Sequence, residues 1–162
     1  MQTIPRIRKV VAAPPSALDI KWKGGRTDRI DLSGWIATGG DILAPLRNPD
    51  LFRKPFIGDY GASVAWDDDD LRIDAVHLAL LAQEQRPFGA REAAQWQKDM
   101  GLSNREVAEF LGLAVSTWNA YKSAGNIPAA VAILCRAARR DPILMQAHFR
   151  PRRPVGRPRK SA

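Results

Sequence analysis

The stretch 102–125, LSNREVAEFLGLAVSTWNAYKSAG, constrains the chain most, because it fits two short helices around a tight turn. Ser103 followed by Glu106 has capping-box spacing: the hydroxyl takes an orphan amide and the carboxylate reaches back. Val107, Ala108, Phe110 and Leu111 then supply an apolar face at helical spacing, while Asn104, Arg105 and Glu109 stay polar. Gly112 stands where a residue able to take positive φ must end the helix. A second helix is expected from about Val115 to Ser123, with Gly125 closing it. Within it Trp118 and Tyr121 point one way, and Ser116, Asn119, Ala120 and Ser123 share the other side.

Such a helix offers an aromatic face to a core and a short, hydrogen-bonding face outward. Entry into a major groove needs that division, since only short side chains let the helix approach base edges. An ordinary helical hairpin, using Ala and Gly for close packing, has the same pattern. Charge separates the two readings. Residues 1–86 carry 12 Lys and Arg against 12 Asp and Glu, whereas residues 87–162 carry 13 against 5, which accounts for the whole net charge of +8. A chain neutral in one half and basic in the other points its second half at a polyanion.

The spacing resembles the helix-turn-helix of λ-repressor-like regulators, with small Ala108 where the helices cross, Gly112 in the turn, and Trp118 and Tyr121 inward. Trp118 is bulkier than the family's usual aliphatic residue, and Ala114 replaces a common capping hydroxyl. Around the pair, Ala90–Met100 reads as a preceding helix ended by Gly101. Ile127-Pro128 starts a fourth helix through AAVAILCRAARR, and Asp141-Pro142 a shorter fifth. Five helices over residues 88–149 match the layout of that family. The resemblance implies a double-stranded DNA partner and a homodimer on two half-sites about one helical turn apart. On this reading Ser116, Asn119 and Ala120 contact base edges, Asn119 foremost because an amide pairs bidentately with adenine. Ser103, Asn104, Arg105, Thr117, Lys122 and Ser123 would hold phosphates.

The first half reads as a small α+β domain over residues 1–84. Residues 4–12 suit a strand stopped by Pro14-Pro15. Leu18, Ile20 and Trp22 alternate with Asp19, Lys21 and Lys23; Gly24-Gly25 turns the chain, and Arg29–Leu32 returns as a hairpin. Glycines then divide 33–40 into short pieces, one helical turn is expected at Ile42–Leu46, and Asn48-Pro49-Asp50 starts another. Phe56-Ile57 and Ala62–Trp66 predict a second hairpin around Asp59-Tyr60-Gly61, and Asp74 caps a helix through Gln83. The run Asp67–Asp70 reads as an acidic, solvated turn. It lacks the glycine and distal glutamate of a calcium loop.

These pieces resemble a small bacterial domain of unknown function often encoded near toxin–antitoxin loci. The match lies in Asp31-Leu32-Ser33, in Leu46 with Asn48–Phe52, and in Trp66 followed by Asp70-Leu71 and Asp74, and spans nearly all of residues 4–80. A turn glycine usual in that domain is replaced here by Asp67-Asp68-Asp69. The resemblance implies a fold and no chemistry, and members fused to a λ-repressor-like domain are known. Gln85–Gly89 is the linker between the halves.

Residues 150–162, RPRRPVGRPRKSA, hold six cations and no apolar cluster, and are expected not to fold alone. Gly156-Arg157-Pro158 with Arg159-Lys160 resembles an AT-hook core, with Val155 in place of the motif's first arginine. Arg153, Arg157, Arg159 and Lys160 are then expected in a minor groove or on phosphates. A nonspecific basic arm is the alternative.

Cys135 is the single cysteine, and His77 and His148 are isolated, so no zinc site is expected. Neither a phosphate loop nor a nucleophile beside a base is present, and no stretch approaches ~18 apolar residues. The expectation is a cytoplasmic regulator of transcription with no cofactor and no enzymatic activity. The alternative is an antitoxin or adaptor whose N-terminal domain binds a partner protein, such as a toxin, and whose DNA binding is autoregulatory. RNA binding is a weaker alternative, lacking an exposed aromatic platform.

Overall fold

The computed structural model describes residues 4–151, with the side chains of Asp68 and Asp69 left aside. The fold is α+β, and the chain divides into two compact units, Met1–Arg86 and Pro87–Ala162.

The first unit begins with three antiparallel strands, β1 (Ile7–Ala13), β2 (Ala17–Trp22) and β3 (Thr27–Asp31), ordered β1-β2-β3. The alternation in β2 has the expected result: Leu18, Ile20 and Trp22 are buried, and Leu18 pairs with Ile30 across the sheet. On the other face Arg29 donates to both oxygens of its opposite number, Asp19, at 2.7 and 2.8 Å. The Arg29 guanidinium draws the Asp19 carboxyl below its ordinary value. The first strand is thus the third rung of the predicted hairpin's own sheet.

Three short helices follow: α1 (Ser33–Thr38), α2 (Gly40–Leu43) and, after a 3-10 turn at Ala44–Arg47, α3 (Pro49–Phe52). The first of these is not among the sequence expectations, which left 33–40 as fragments. It forms because Ile36 buries its side chain and the Asp31 carboxylate accepts from the Ser33 amide at 2.8 Å. Asn48 caps α3 as expected, accepting from the Asp50 amide at 2.9 Å.

The second sheet is β4 (Phe56–Gly58), β5 (Ser63–Trp66) and β6 (Asp68–Asp74), antiparallel in that order. Here the expected acidic turn is corrected. Only Asp67, at φ 54°, makes the turn, and Asp68 already pairs with Trp66. Leu71 and Ile73 alternate inward and carry the strand onward, outweighing the polarity of its first residues. Between β4 and β5 the chain passes through Asp59, Tyr60 and Gly61, all at positive φ, and a Cβ on Gly61 would lie 2.5 Å from the Ile7 carbonyl oxygen. Glycine is required there by both φ and space.

The helix α4 (Ala75–Gln85) starts on the Asp74 carboxylate, which accepts from the His77 amide at 2.8 Å. Its last residue packs back on β3: Gln85 Oε1 accepts from the Asp31 amide at 2.8 Å and Gln85 Nε2 donates to the Asp31 carbonyl at 2.7 Å. One core joins both sheets and these helices. At its centre Phe52 and Trp66 stack with ring centroids 5.7 Å apart, and the Trp66 indole donates to the Phe52 carbonyl at 3.0 Å.

The second unit is helical: α5 (Ala90–Met100), α6 (Asn104–Leu111), α7 (Val115–Ala124), α8 (Ala129–Arg140) and α9 (Pro142–His148). Gly101, Gly112 and Gly125 end α5, α6 and α7 in the left-handed region, as their positions in the sequence predict. Ala93, Trp96, Val107, Trp118, Cys135 and Ala138 form its core, with Tyr121, Phe110 and Met145 against it.

Candidate nucleic-acid interface

The candidate interface is built by α6, α7 and the end of α5. At the start of α6 the capping box is complete: the Glu106 amide donates to Ser103 Oγ at 3.3 Å, and Glu106 Oε2 accepts from the Ser103 amide at 2.8 Å. Ser103 Oγ also donates to Glu106 Oε2 at 2.8 Å, so this hydroxyl's proton serves the cap. At the start of α7, Ala114 gives no side-chain cap, which leaves the first amides of that helix to other acceptors.

The division of α7 into two faces holds. Trp118 is 0% exposed and meets Trp96 edge to face at 6.1 Å and Tyr121 at 6.5 Å. Ser116, Asn119, Ala120 and Ser123 are exposed together on the opposite side. Thr117 and Lys122 are half-buried at its borders, and Arg105 is exposed on α6. The Ser123 hydroxyl turns back onto the helix, donating to the carbonyls of Asn119 and Ala120 at 3.2 and 3.1 Å. Among the described residues the Asn119 side chain makes no such bond, and its carboxamide has both a donor and an acceptor to offer an adenine edge.

Asn104 and Lys122 are brought together in a way their separation in sequence does not announce. Lys122 Nζ donates to Asn104 Oδ1, and the same oxygen accepts from Gln97 Nε2 at 2.9 Å. Gln97 Nε2 also donates to the Leu102 carbonyl at 3.0 Å, while Gln97 Oε1 accepts from the Trp118 indole at 2.8 Å. One glutamine at the end of α5 therefore holds the turn after it, the first residue of α6 and the middle of α7. From the sequence, Gln97 is only one of the residues of this helix, with Ala93, Ala94 and Trp96, that are spaced to cover the core. The available signal was its position on the apolar stripe of α5, four residues after buried Ala93 and next to Trp96, where a polar side chain must find partners.

Other charges nearby are already paired. Arg139 bridges to Asp99 at 2.8 Å, and the Arg136 guanidinium lies over the Phe88 ring at 5.2 Å. The Gly89 amide donates to Glu92 at 2.9 Å, and this bond holds the Glu92 carboxyl below its ordinary range. Cys135 is buried, and desolvation pushes its thiol up to about 12 against the opposing pull of Arg136 and Arg139. That environment suits a packing residue and not a nucleophile.

The expected tail contacts, Arg153, Arg157, Arg159 and Lys160, lie outside the described residues. In the first unit a small cleft of about 240 Å³ runs between Ile42, Pro45, Leu51 and Leu71, with Asp67 and Asp70 at its edge. Among the described residues no group of three or more His, Cys, Asp or Glu side chains is placed to hold a metal ion, and no helix is long and apolar enough to cross a membrane.

No family model matches the chain, and no curated protein is similar to it in sequence. Among solved structures, a candidate DNA-binding protein from Nitrosomonas europaea ATCC 19718 is 24% identical, over 92% of this chain and 94% of its own. The TM-score between the two is 0.47.

Proposed function

We propose that this chain is a sequence-specific double-stranded DNA-binding protein, a regulator of transcription that acts as a homodimer in the cytoplasm and catalyses no reaction. The observation that carries the reading is the two-faced α7: Trp118 and Tyr121 fix one side in the core, and Ser116, Asn119 and Ala120 stand exposed on the other. That helix belongs to the half of the chain holding the entire net charge of +8. Six of those charges belong to residues 150–162 and two to the helical body at 87–149, where seven Lys and Arg stand against five Asp and Glu. The short side chains of α7 match the major groove in depth, and the excess of cations in this half matches a polyanion in charge. Asn119 is the leading base contact, with Ser116 and Ala120 beside it. Arg105, Thr117 and Lys122, with Asn104, border the same face and would hold phosphates. Ser103 and Ser123 contribute less there than expected, because their hydroxyl protons serve the protein's own acceptors.

Two measurements test this. Selection from random duplex DNA with the purified chain should enrich one motif with two half-sites. Fluorescence anisotropy should find duplex binding in residues 87–162 and none in residues 1–86, with a logarithmic salt slope of about −5 to −7 if ~6 to 8 phosphates are engaged. Equal binding by both fragments, or no enriched motif, overturns the reading.

A second reading gives the N-terminal unit a protein partner, with DNA binding serving autoregulation. It is favoured by the exposed apolar side chains on β4 and the turn after it: Phe56, Ile57 and Tyr60, the last 97% exposed. Co-purification of a second protein that is lost on changing Tyr60 to Ser supports it.

A further inference from the structure

We infer that Gln97 is the positioning residue of this interface: it sets which end of the Asn104 carboxamide faces outward and where the Lys122 ammonium is held. The inference rests on the DNA-binding reading.

Every polar group of the Gln97 side chain is used, and its orientation is fixed. The oxygen accepts from the Trp118 indole, which can only donate, and the NH2 group donates to Leu102 O and Asn104 Oδ1. A flipped amide would set NH2 against an indole N–H and an oxygen against two acceptors. With its orientation settled, Gln97 settles that of Asn104. The Asn104 oxygen is turned inward to receive Gln97 Nε2 and Lys122 Nζ, and its NH2 group is turned away from them. Two consequences meet at the border between α6 and α7. Asn104 presents donors where a phosphate needs them, and Lys122 is tethered by a hydrogen bond to a neutral oxygen, with no carboxylate paired to it among the described residues.

Gln97 and Lys122 donate to one oxygen atom, so their nitrogens are neighbours. A carboxylate at residue 97 would therefore pair with the ammonium and reverse Asn104, whose NH2 would turn inward to it. The indole bond would survive. This separates positioning from packing, because neutralising one phosphate-binding cation changes the salt dependence of binding and loosening the core does not.

The experiment compares full-length wild type, Gln97→Glu and Asn104→Asp by anisotropy on one duplex across a salt series, with thermal melts giving the folded fraction. Wild type is expected to show a steep slope. Gln97→Glu should show a slope smaller in magnitude by about 0.9, with binding weaker by roughly three- to tenfold at low salt. Asn104→Asp supplies the variant least at risk of unfolding: its carboxylate keeps both donors and sits at the first residue of a helix, where negative charge is favourable. It should lose the same increment of slope. Folded variants with the wild-type slope overturn the inference while leaving DNA binding standing. Wild type that binds no duplex at any salt overturns the functional reading, and the inference with it.

Discussion

Trp118 and Gln97 are joined by a 2.8 Å hydrogen bond from the indole Nε1–H to the carboxamide Oε1, which makes a fully buried aromatic of the helical core a polar strut as well. The two residues lie 21 apart, on α5 and α7. Replacing Trp118 with Phe keeps most of the volume but leaves the Gln97 oxygen without its donor. The expected loss is about 1–3 kcal/mol of the helical unit's stability, against roughly 3–5 kcal/mol for Trp118→Ala, which also opens a cavity. Denaturant titration of both variants checks the order. No loss in Trp118→Phe would mean that the hydrogen bond contributes nothing beyond the ring, and equal losses would mean that the ring's packing adds nothing to the bond.

Asn119→Ala should act on recognition alone. The residue is exposed one position after Trp118, and among the described residues its side chain has no hydrogen-bond partner. The melting temperature is expected to stay within error of wild type, while discrimination at one base pair falls by about 1–3 kcal/mol. Competition binding against single-base variants of the selected site measures the second quantity. Unfolding by this substitution would show that Asn119 supports the core.

The contrast between these two neighbours explains what the sequence made legible. Trp118 and Asn119 separate onto opposite faces by helical period alone, and the three terminating glycines mark the ends of α5, α6 and α7 locally. Gln97 was opaque because its partners lie on other helices, and no local pattern states which distant indole will need an acceptor. In the first unit β6 was hidden by composition: a run of carboxylates reads as a loop, and only Leu71 and Ile73 betray the alternation. The helix α1 was hidden by its flanking glycines, its reason for forming being burial of Ile36 in a core assembled from distant strands. Periodicity is written in the chain, whereas partnership is decided by packing.

Gly61→Ala tests the backbone of the N-terminal unit. At φ +92° an L-residue is strained, and the added Cβ would meet the Ile7 carbonyl oxygen, a backbone atom with little freedom to retreat. A loss of roughly 2 kcal/mol or more is expected for that unit, read as an earlier denaturation midpoint, with the helical unit's transition unmoved. A neutral effect would mean that β1 can shift away from the turn.

Cys135 predicts a pH dependence with a definite sign. Its ordinary value is 9.0, and burial raises it to about 12 in the folded chain. Above pH 9 the unfolded thiol gives up its proton while the folded one keeps it, so unfolding is increasingly favoured. This contribution is complete below pH 9 and fades as pH rises toward 12. Stability should therefore fall more between pH 8 and 10.5 in wild type than in Cys135→Ala, where that titration is gone. Parallel falls would assign the alkaline loss to other groups. A maleimide should label Cys135 only at the rate of unfolding.

Gln85 ends α4 by laying its carboxamide against the backbone of Asp31, one bond in each direction, as a neighbouring strand would. Seen from β3, the rung beyond Asp31 is already occupied. A sheet edge with a free rung is a template on which another chain can add itself. Here a single side chain imitates the next strand at Asp31, so an incoming chain finds no free backbone groups at that end of β3.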